Sequence, residues 1–295
     1  MKQYKVAIIG NGMICNAAHI PAYKAMGDKV KIVAVADIRE EAAKETAERH
    51  GIPKYYVDPY KMLEEEKPDI ISVCTPNAYH KEYTLAGFRA GCHVVCEKPV
   101  AVTCADAEEM FNAAEKAGKH LFVIQSLRFT GNFKAAAGLA KSGCLGDIYY
   151  ADLNLVRRRG VPRWGMFHMA KENVGGAFCD LGVHMCDYLM SISGNPKMVS
   201  VSGSAVTRIV NKEKNIEFSN AESGAPTGLF TPRKFDMKEF DVEEFANGYI
   251  RLENGMTVTF KISWALNLPN SNTVSICGDK GGLTCLLYTS PSPRD

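Results

Sequence analysis

Short apolar runs recur through the first 124 residues, each followed by an amphipathic or charged stretch of helical length. The runs cover residues 5–9, 31–36, 69–74, 93–96 and 121–124, and the first two read Lys-Val-Ala-Ile-Ile and Lys-Ile-Val-Ala-Val-Ala. Runs so short and so rich in β-branched residues form strands buried on both faces. The stretches between them, residues 14–26, 40–50, 58–66, 79–90 and 103–117, must then supply helices that cover those faces. Gly51, Gly91 and Gly118 stand where helix ends favour glycine, and Thr103 stands at an N-cap. Strand and helix in alternation specify a doubly wound parallel sheet, because parallel neighbours need a crossover between them.

The later sequence changes character. Residues 132–142 read as a helix, 143–146 as a turn and 147–156 as a long strand. Residues 199–206, 248–252, 257–263 and 273–277 read as further strands, with Glu253-Asn254-Gly255 as a hairpin turn. A second α/β domain with a mostly antiparallel open sheet is expected. At about 150 residues per domain, a chain of 295 holds two. We expect a dinucleotide-binding domain over residues 1–124 and a substrate and oligomerisation domain over residues 125–284. Residues 211–238 are polar with no clear period, and are expected to form a long loop over the sheet.

The first strand-to-helix junction reads Gly10-Asn11-Gly12-Met13-Ile14-Cys15. The first glycine permits a tight turn. The second lets backbone N–H groups approach a pyrophosphate at the helix N-terminus, where the dipole favours an anion. The last position needs a small side chain for helix packing, and Cys15 supplies it. Asp37 ends the second strand near the offset at which a carboxylate binds adenine ribose hydroxyls and repels a 2′-phosphate. That favours NAD. Arg39 could instead pair with a 2′-phosphate, so NADP stays open.

Two further motifs follow later strands: Thr75-Pro76-Asn77 with His80, and Glu97-Lys98-Pro99. Both lie at carboxyl ends of parallel strands, where open α/β sheets bind ligands. A lysine held there can donate to a substrate oxygen and stabilise developing alkoxide charge. A third motif runs from Gly175-Gly176 through Asp180, His184 and Asp187, spaced as one helical face. Histidine is the natural base for the proton of a secondary alcohol near neutral pH. Asp180 could orient either the histidine or a substrate hydroxyl.

Together these residues resemble the Gfo/Idh/MocA family, the glucose-fructose oxidoreductase and inositol dehydrogenase group. The resemblance runs in order from about Lys5 to about Gly282. It implies a Rossmann domain followed by an α/β domain, with Lys98, Asp180 and His184 as the catalytic constellation. His184 would be the acid/base, Lys98 would contact the reacting oxygen and the cofactor, and Asp180 would position substrate. Gly10, Asn11, Gly12, Met13, Ile14, Asp37, Arg39, Thr75, Pro76, Asn77, His80, Glu97 and Lys98 would line the cofactor. The implied reaction moves a hydride between nicotinamide and a secondary alcohol of a sugar, sugar derivative or cyclitol, and the implied full-length protein is a homo-oligomer. Two alternatives stay open: an NAD-dependent glycosidase acting by transient oxidation and elimination, and a non-catalytic dinucleotide-binding regulator.

Arg157-Arg158-Arg159 and Arg163-Trp164 lie between the long strand and the glycine pair. Trp164 is a candidate substrate residue, since an aromatic face suits the C–H face of a sugar; a solvated basic loop is the alternative. Charge adds little: 35 Lys and Arg against 33 Asp and Glu leave +2, which argues against nucleic acid or an acidic membrane as partner. Nothing reads as a signal peptide or membrane span, and a cytoplasmic protein is expected. The ten cysteines are expected to be reduced and mostly buried, and no metal site is expected because zinc-ligand spacing is absent. Residues 285–295 follow a glycine turn without structural logic and can be encoded by the end of a common transposase-based sequencing adapter. They are expected to be a non-native tail on a substrate domain cut short.

Overall fold

The computed structural model describes residues 2–210, 223 and 228–286. It divides into two compact units. Of the described residues, the first holds 2–124, 163–174 and 228–236, and the second holds the rest.

In the first unit the strands are β1 (Tyr4–Ile9), β2 (Val30–Ala36), β3 (Tyr55–Tyr56), β4 (Ile70–Val73), β5 (His93–Cys96) and β6 (Leu121–Val123). The helices are α1 (Ile20–Ala25), α2 (Glu40–His50), α3 (Pro59–Glu66), α4 (His80–Arg89) and α5 (Cys104–Lys116). All strand pairs are parallel, in the order β3-β2-β1-β4-β5-β6. Successive side chains of β1 point to opposite faces. Val6 and Ile8 pack with Ile20 and Tyr23 of α1, while Ala7 and Ile9 pack in a second cluster with Met62, Phe88 and Met110. This is the doubly wound sheet that the alternation specifies. The two-residue β3 was not legible from hydrophobic periodicity.

Helix ends follow local chemistry. Asp58 accepts from Tyr60 N, Thr103 accepts from Asp106 N, and Gly51 adopts a left-handed conformation. The expected helix over 14–26 is not uniform: Cys15–His19 form a π-helical turn before α1. All ten cysteines are free. Four are buried, and Cys104 and Cys144 are exposed, which departs from the expectation of mostly buried thiols. Burial pushes the thiols of Cys15 and Cys96 up to about 12, so they act as packing groups.

The second unit is built on a mixed sheet in the order β12-β11-β7-β10-β9-β8. Its strands are β7 (Ile148–Val156), β8 (Met198–Val206), β9 (Phe245–Leu252), β10 (Thr257–Ser263), β11 (Ser271–Gly278) and β12 (Gly282–Leu286). Only β7 and β10 pair in parallel, so the sheet is mostly antiparallel, as expected. Helix α6 (Gly131–Lys141), the short α7 (Ala170–Asn173) of the first unit and α8 (Val183–Ile192) complete the helices. Cys285 and Leu286, the first residues of the expected tail, pair with Val274 and Thr273 in β12; residues 287–295 lie outside the described residues. Most of the expected long loop, residues 211–222 and 224–227, also lies outside them. Among the described residues, no helix is long and apolar enough to cross a membrane.

Helix α4 sits close on the sheet at Gly87, where an added Cβ would overlap Ile71 Cδ1 and lie 3.0 Å from Val94 Cγ2. Ile71 and Val94 are fully buried and cannot swing aside. Glycine-to-alanine in a helix ordinarily stabilises by about 1 kcal/mol. Overpacking should reverse that sign here, so Gly87→Ala is expected to lose about 1–3 kcal/mol in urea unfolding.

Candidate active site

The strands of the first sheet deliver their ligand-facing residues along one edge. Sheet order reverses between β1 and β4, and there Gly10 meets the chain leaving β4. Gly10 has a φ of +91°, and a Cβ on it would lie 2.6 Å from the Cys74 carbonyl carbon and 2.8 Å from Thr75 N. No side chain fits that crossing. Gly12 differs: a Cβ there would meet nothing within 4 Å. The space over Gly12 is open beside the helix opened by Met13 and Ile14.

Asp37 reaches across from β2. Its carboxylate accepts from Asn11 N at 2.7 Å and from Arg39 N at 2.9 Å, and Arg39 Nε lies 3.8 Å from it. Asn16, absent from the sequence reading, holds the turn from below: its Nδ2 donates to the carbonyls of Asn11 (3.1 Å) and Gly12 (2.9 Å). Its only signal is position, one residue into the π-helical turn. Two polar atoms of this edge are buried without a hydrogen-bond partner, Asn11 Oδ1 and Thr75 Oγ1.

The structure changes the roles of two expected cofactor contacts. His80 is fully buried, with Nδ1 2.8 Å from the Pro99 carbonyl and Nε2 3.0 Å from the Thr75 carbonyl. It ties the loop after β4 to the loop after β5 and has no ring nitrogen left for a ligand. Burial holds its pKa below the usual value against the opposing pull of the two carbonyls. Glu97 also turns inward and is 7% exposed. Its Oε1 lies 2.9 Å from His19 Nε2, and its Oε2 accepts from Lys98 N at 3.2 Å. His19 Nδ1 continues to Ser72 Oγ (3.2 Å), which meets Tyr23 OH (2.7 Å). Lys98 therefore follows a residue anchored in the core. Asn77, which follows Pro76, is held by Asn173: its N–H donates to Asn173 Oδ1 and its Nδ2 to the Asn173 carbonyl.

In the second unit Asp180 and His184 do not share a regular α-helical face. Phe178–Gly182 form a π-helical turn that runs into α8, with Asp180 in the turn and the buried His184 in α8. Trp264, fully buried, donates its indole N–H to Asp180 Oδ2 at 3.0 Å. Asp187 is drawn away into a two-point ion pair with Arg128 (2.7 and 2.5 Å). Glu243 caps the turn by accepting from Gly176 N (2.7 Å) and Phe178 N (2.9 Å). Trp264 and Glu243 carry no local sequence signal, because each acts from a distant strand or its approach. Of the loop arginines, Arg157 donates to the Ser223 carbonyl and Arg159 to Asn267 Oδ1. Trp164 belongs to the first unit, packed edge-on against Phe167, with its indole nitrogen buried and without a hydrogen-bond partner. No cluster of three or more His, Cys, Asp or Glu among the described residues could hold a metal.

Residues 4–125 match the profile of the Gfo/Idh/MocA oxidoreductase family with NAD-binding Rossmann fold, and residues 133–284 match the family's C-terminal domain. The chain belongs to the Gfo/Idh/MocA family. It is 36% identical over 290 residues to D-glucoside 3-dehydrogenase of Escherichia coli (strain K12), covering 97% of this chain and 78% of that protein. It is 30% identical over 190 residues to myo-inositol 2-dehydrogenase of Thermotoga maritima, covering 64% of this chain and 55% of that protein. Its fold matches the crystal structure of GenD2 from gentamicin A biosynthesis in complex with NAD, with a TM-score of 0.80 and 22% identity, covering 97% of this chain and 72% of that one. This family member is an NAD-dependent oxidoreductase, as the motifs imply. Its first unit suits NAD: the room over Gly12, the unanswered Asn11 and Thr75 oxygens and the Asp37 carboxylate all lie at the strand ends.

The His19–Glu97 pair yields a stability prediction. Removing one partner of a buried pair leaves an uncompensated charge, at a cost of about 3–5 kcal/mol. His19→Ala should lose about that much in urea unfolding at neutral pH, and adding Glu97→Gln should recover part of it. The His19 hydrogen bond holds the Glu97 carboxyl below its ordinary range despite burial. The stability due to that ionisation is present above the unfolded pKa and lost as pH falls through the folded one. The gap between wild type and Glu97→Gln should therefore narrow on acidification.

Proposed function

We propose that this chain transfers a hydride between NAD and a secondary alcohol carbon of a sugar, sugar derivative or cyclitol. The observation that carries this reading is 36% identity along 97% of the chain to a protein named for dehydrogenating D-glucosides, and Lys98, Asp180 and His184 stand in the motifs that resemble the family's. Bound NAD would supply the hydride acceptor. In the oxidative direction His184 takes the hydroxyl proton, a role suited to imidazole near neutral pH. Lys98 donates to the reacting oxygen and stabilises its developing negative charge. Asp180, oriented by the Trp264 indole, accepts from a neighbouring substrate hydroxyl. Trp164 offers its aromatic face and its unanswered indole N–H to the sugar. The Asp37 carboxylate opposes a 2′-phosphate and selects NAD over NADP.

Sugars, glucosides and cyclitols screened with NAD and NADP by reduced-cofactor absorbance should give turnover with NAD. His184→Ala should lower kcat at least about 100-fold while calorimetry finds NAD affinity within about threefold of wild type. Asp37→Ala should weaken NAD binding about tenfold or more. Undiminished turnover in His184→Ala would remove that residue from the mechanism.

A further inference from the structure

The segment 163–174 follows β7 in sequence but packs with the Rossmann sheet. One of its attachments runs to the loop that follows β4. Asn77 N donates to Asn173 Oδ1 at 3.3 Å, and Asn77 Nδ2 donates to the Asn173 carbonyl at 3.1 Å. The neighbouring Glu172 side chain holds the Tyr79 phenol above its ordinary pKa. Asn173 and Glu172 are both buried. Within the loop that carries Thr75, Pro76 and Asn77, the Asn77 N and Nδ2 donors are thus answered by a segment from far along the chain. The same segment carries Trp164, whose indole N–H is buried with no hydrogen-bond partner. A buried donor left unanswered in the protein is a group set for a ligand acceptor.

We infer that Asn173 and Glu172 are positioning residues that couple occupancy of the nucleotide loop to Trp164. The inference rests on the reading that NAD occupies the strand ends beside Thr75 and Asn77. When NAD takes that loop, Asn77 and Tyr79 are fixed, and through Asn173 and Glu172 the whole segment 163–174 settles. The Trp164 N–H is then presented to an acceptor oxygen of the polyol substrate. Substrate recognition at Trp164 then depends on how Asn173 and Glu172 hold the segment.

The chain has two tryptophans, which makes the coupling readable without any substrate. Trp264 is fully buried in the second unit. Titrating the full chain with NAD should change tryptophan emission, and Trp164→Phe should abolish that change while calorimetry still detects NAD binding. Asn173→Leu should lose at least half of the change. Asn173→Asp, which keeps the acceptor for Asn77 N, should retain it. In the wild type, NAD should also slow amide exchange of peptides covering residues 163–174, a readout that needs no variant. If calorimetry finds no NAD binding to the wild type, the cofactor reading falls and the coupling with it. If NAD binds but neither Trp164 emission nor exchange of this segment responds, the coupling alone is overturned. An Asn173→Leu response equal to wild type also overturns it.

Discussion

The close crossing of Gly10 over the Cys74–Thr75 backbone is the constraint on which the rest of the first unit depends. It occurs where β1 and β4 lie side by side and the winding of the sheet reverses. A gap opens at such a reversal because the two helices that follow leave toward opposite faces. Gly10 lets the chains meet at the bottom of that gap, and open space over Gly12 is left above it. Several polar groups proposed to meet NAD sit on this rim: Asn11 and Asp37 on one side, Thr75 and Asn77 on the other. The geometry follows from topology before any ligand is considered.

Below the rim lies a layer of buried polar side chains that fix the loops. Asn16 holds the carbonyls of the glycine turn, His80 joins Thr75 to Pro99, and His19 joins α1's approach to Glu97. Buried polar groups are costly unless fully paired, and these are paired chiefly with the backbone of the ligand loops. Such an arrangement spends core stability on loop position. It also explains why the motif residues divide into two kinds. Lys98 and Thr75 are the ones proposed to meet a ligand, while Glu97 and His80, their near neighbours in sequence, face inward as supports.

That division marks how far the sequence can be read. The parallel sheet was legible because strands buried on both faces are continuous apolar runs, and periodicity reports burial directly. The glycine turn, Asp37 and the two strand-end motifs were legible because spacing along one βα unit fixes them. Periodicity does not report which way a polar side chain turns at a strand end, so Glu97 and His80 read as ligand contacts. It also does not separate a π-helical turn from an α-helical one, so Asp180, His184 and Asp187 looked like a single face. Asp187 is pulled to Arg128, and Asp180 is held by Trp264 from 84 residues away. Partners at such separation leave no trace in local pattern.

The second unit repeats the same logic with different chemistry. Around Asp180 and His184 the supports are Trp264 and Glu243, an indole donor and a carboxylate that caps the turn. The Trp264 N–H gives one carboxylate oxygen of Asp180 a fixed partner. On the proposed function Asp180 accepts from a substrate hydroxyl, and a substrate that lacks it would leave the carboxylate under-satisfied. Discrimination built this way is strong against deoxy analogues and weak against added apolar bulk, because unpaired buried polar groups cost more than a lost methylene contact. On the proposed function, a polyol substrate with hydroxyls on adjacent carbons would meet both demands at once: one hydroxyl reacts, and its neighbour donates to Asp180.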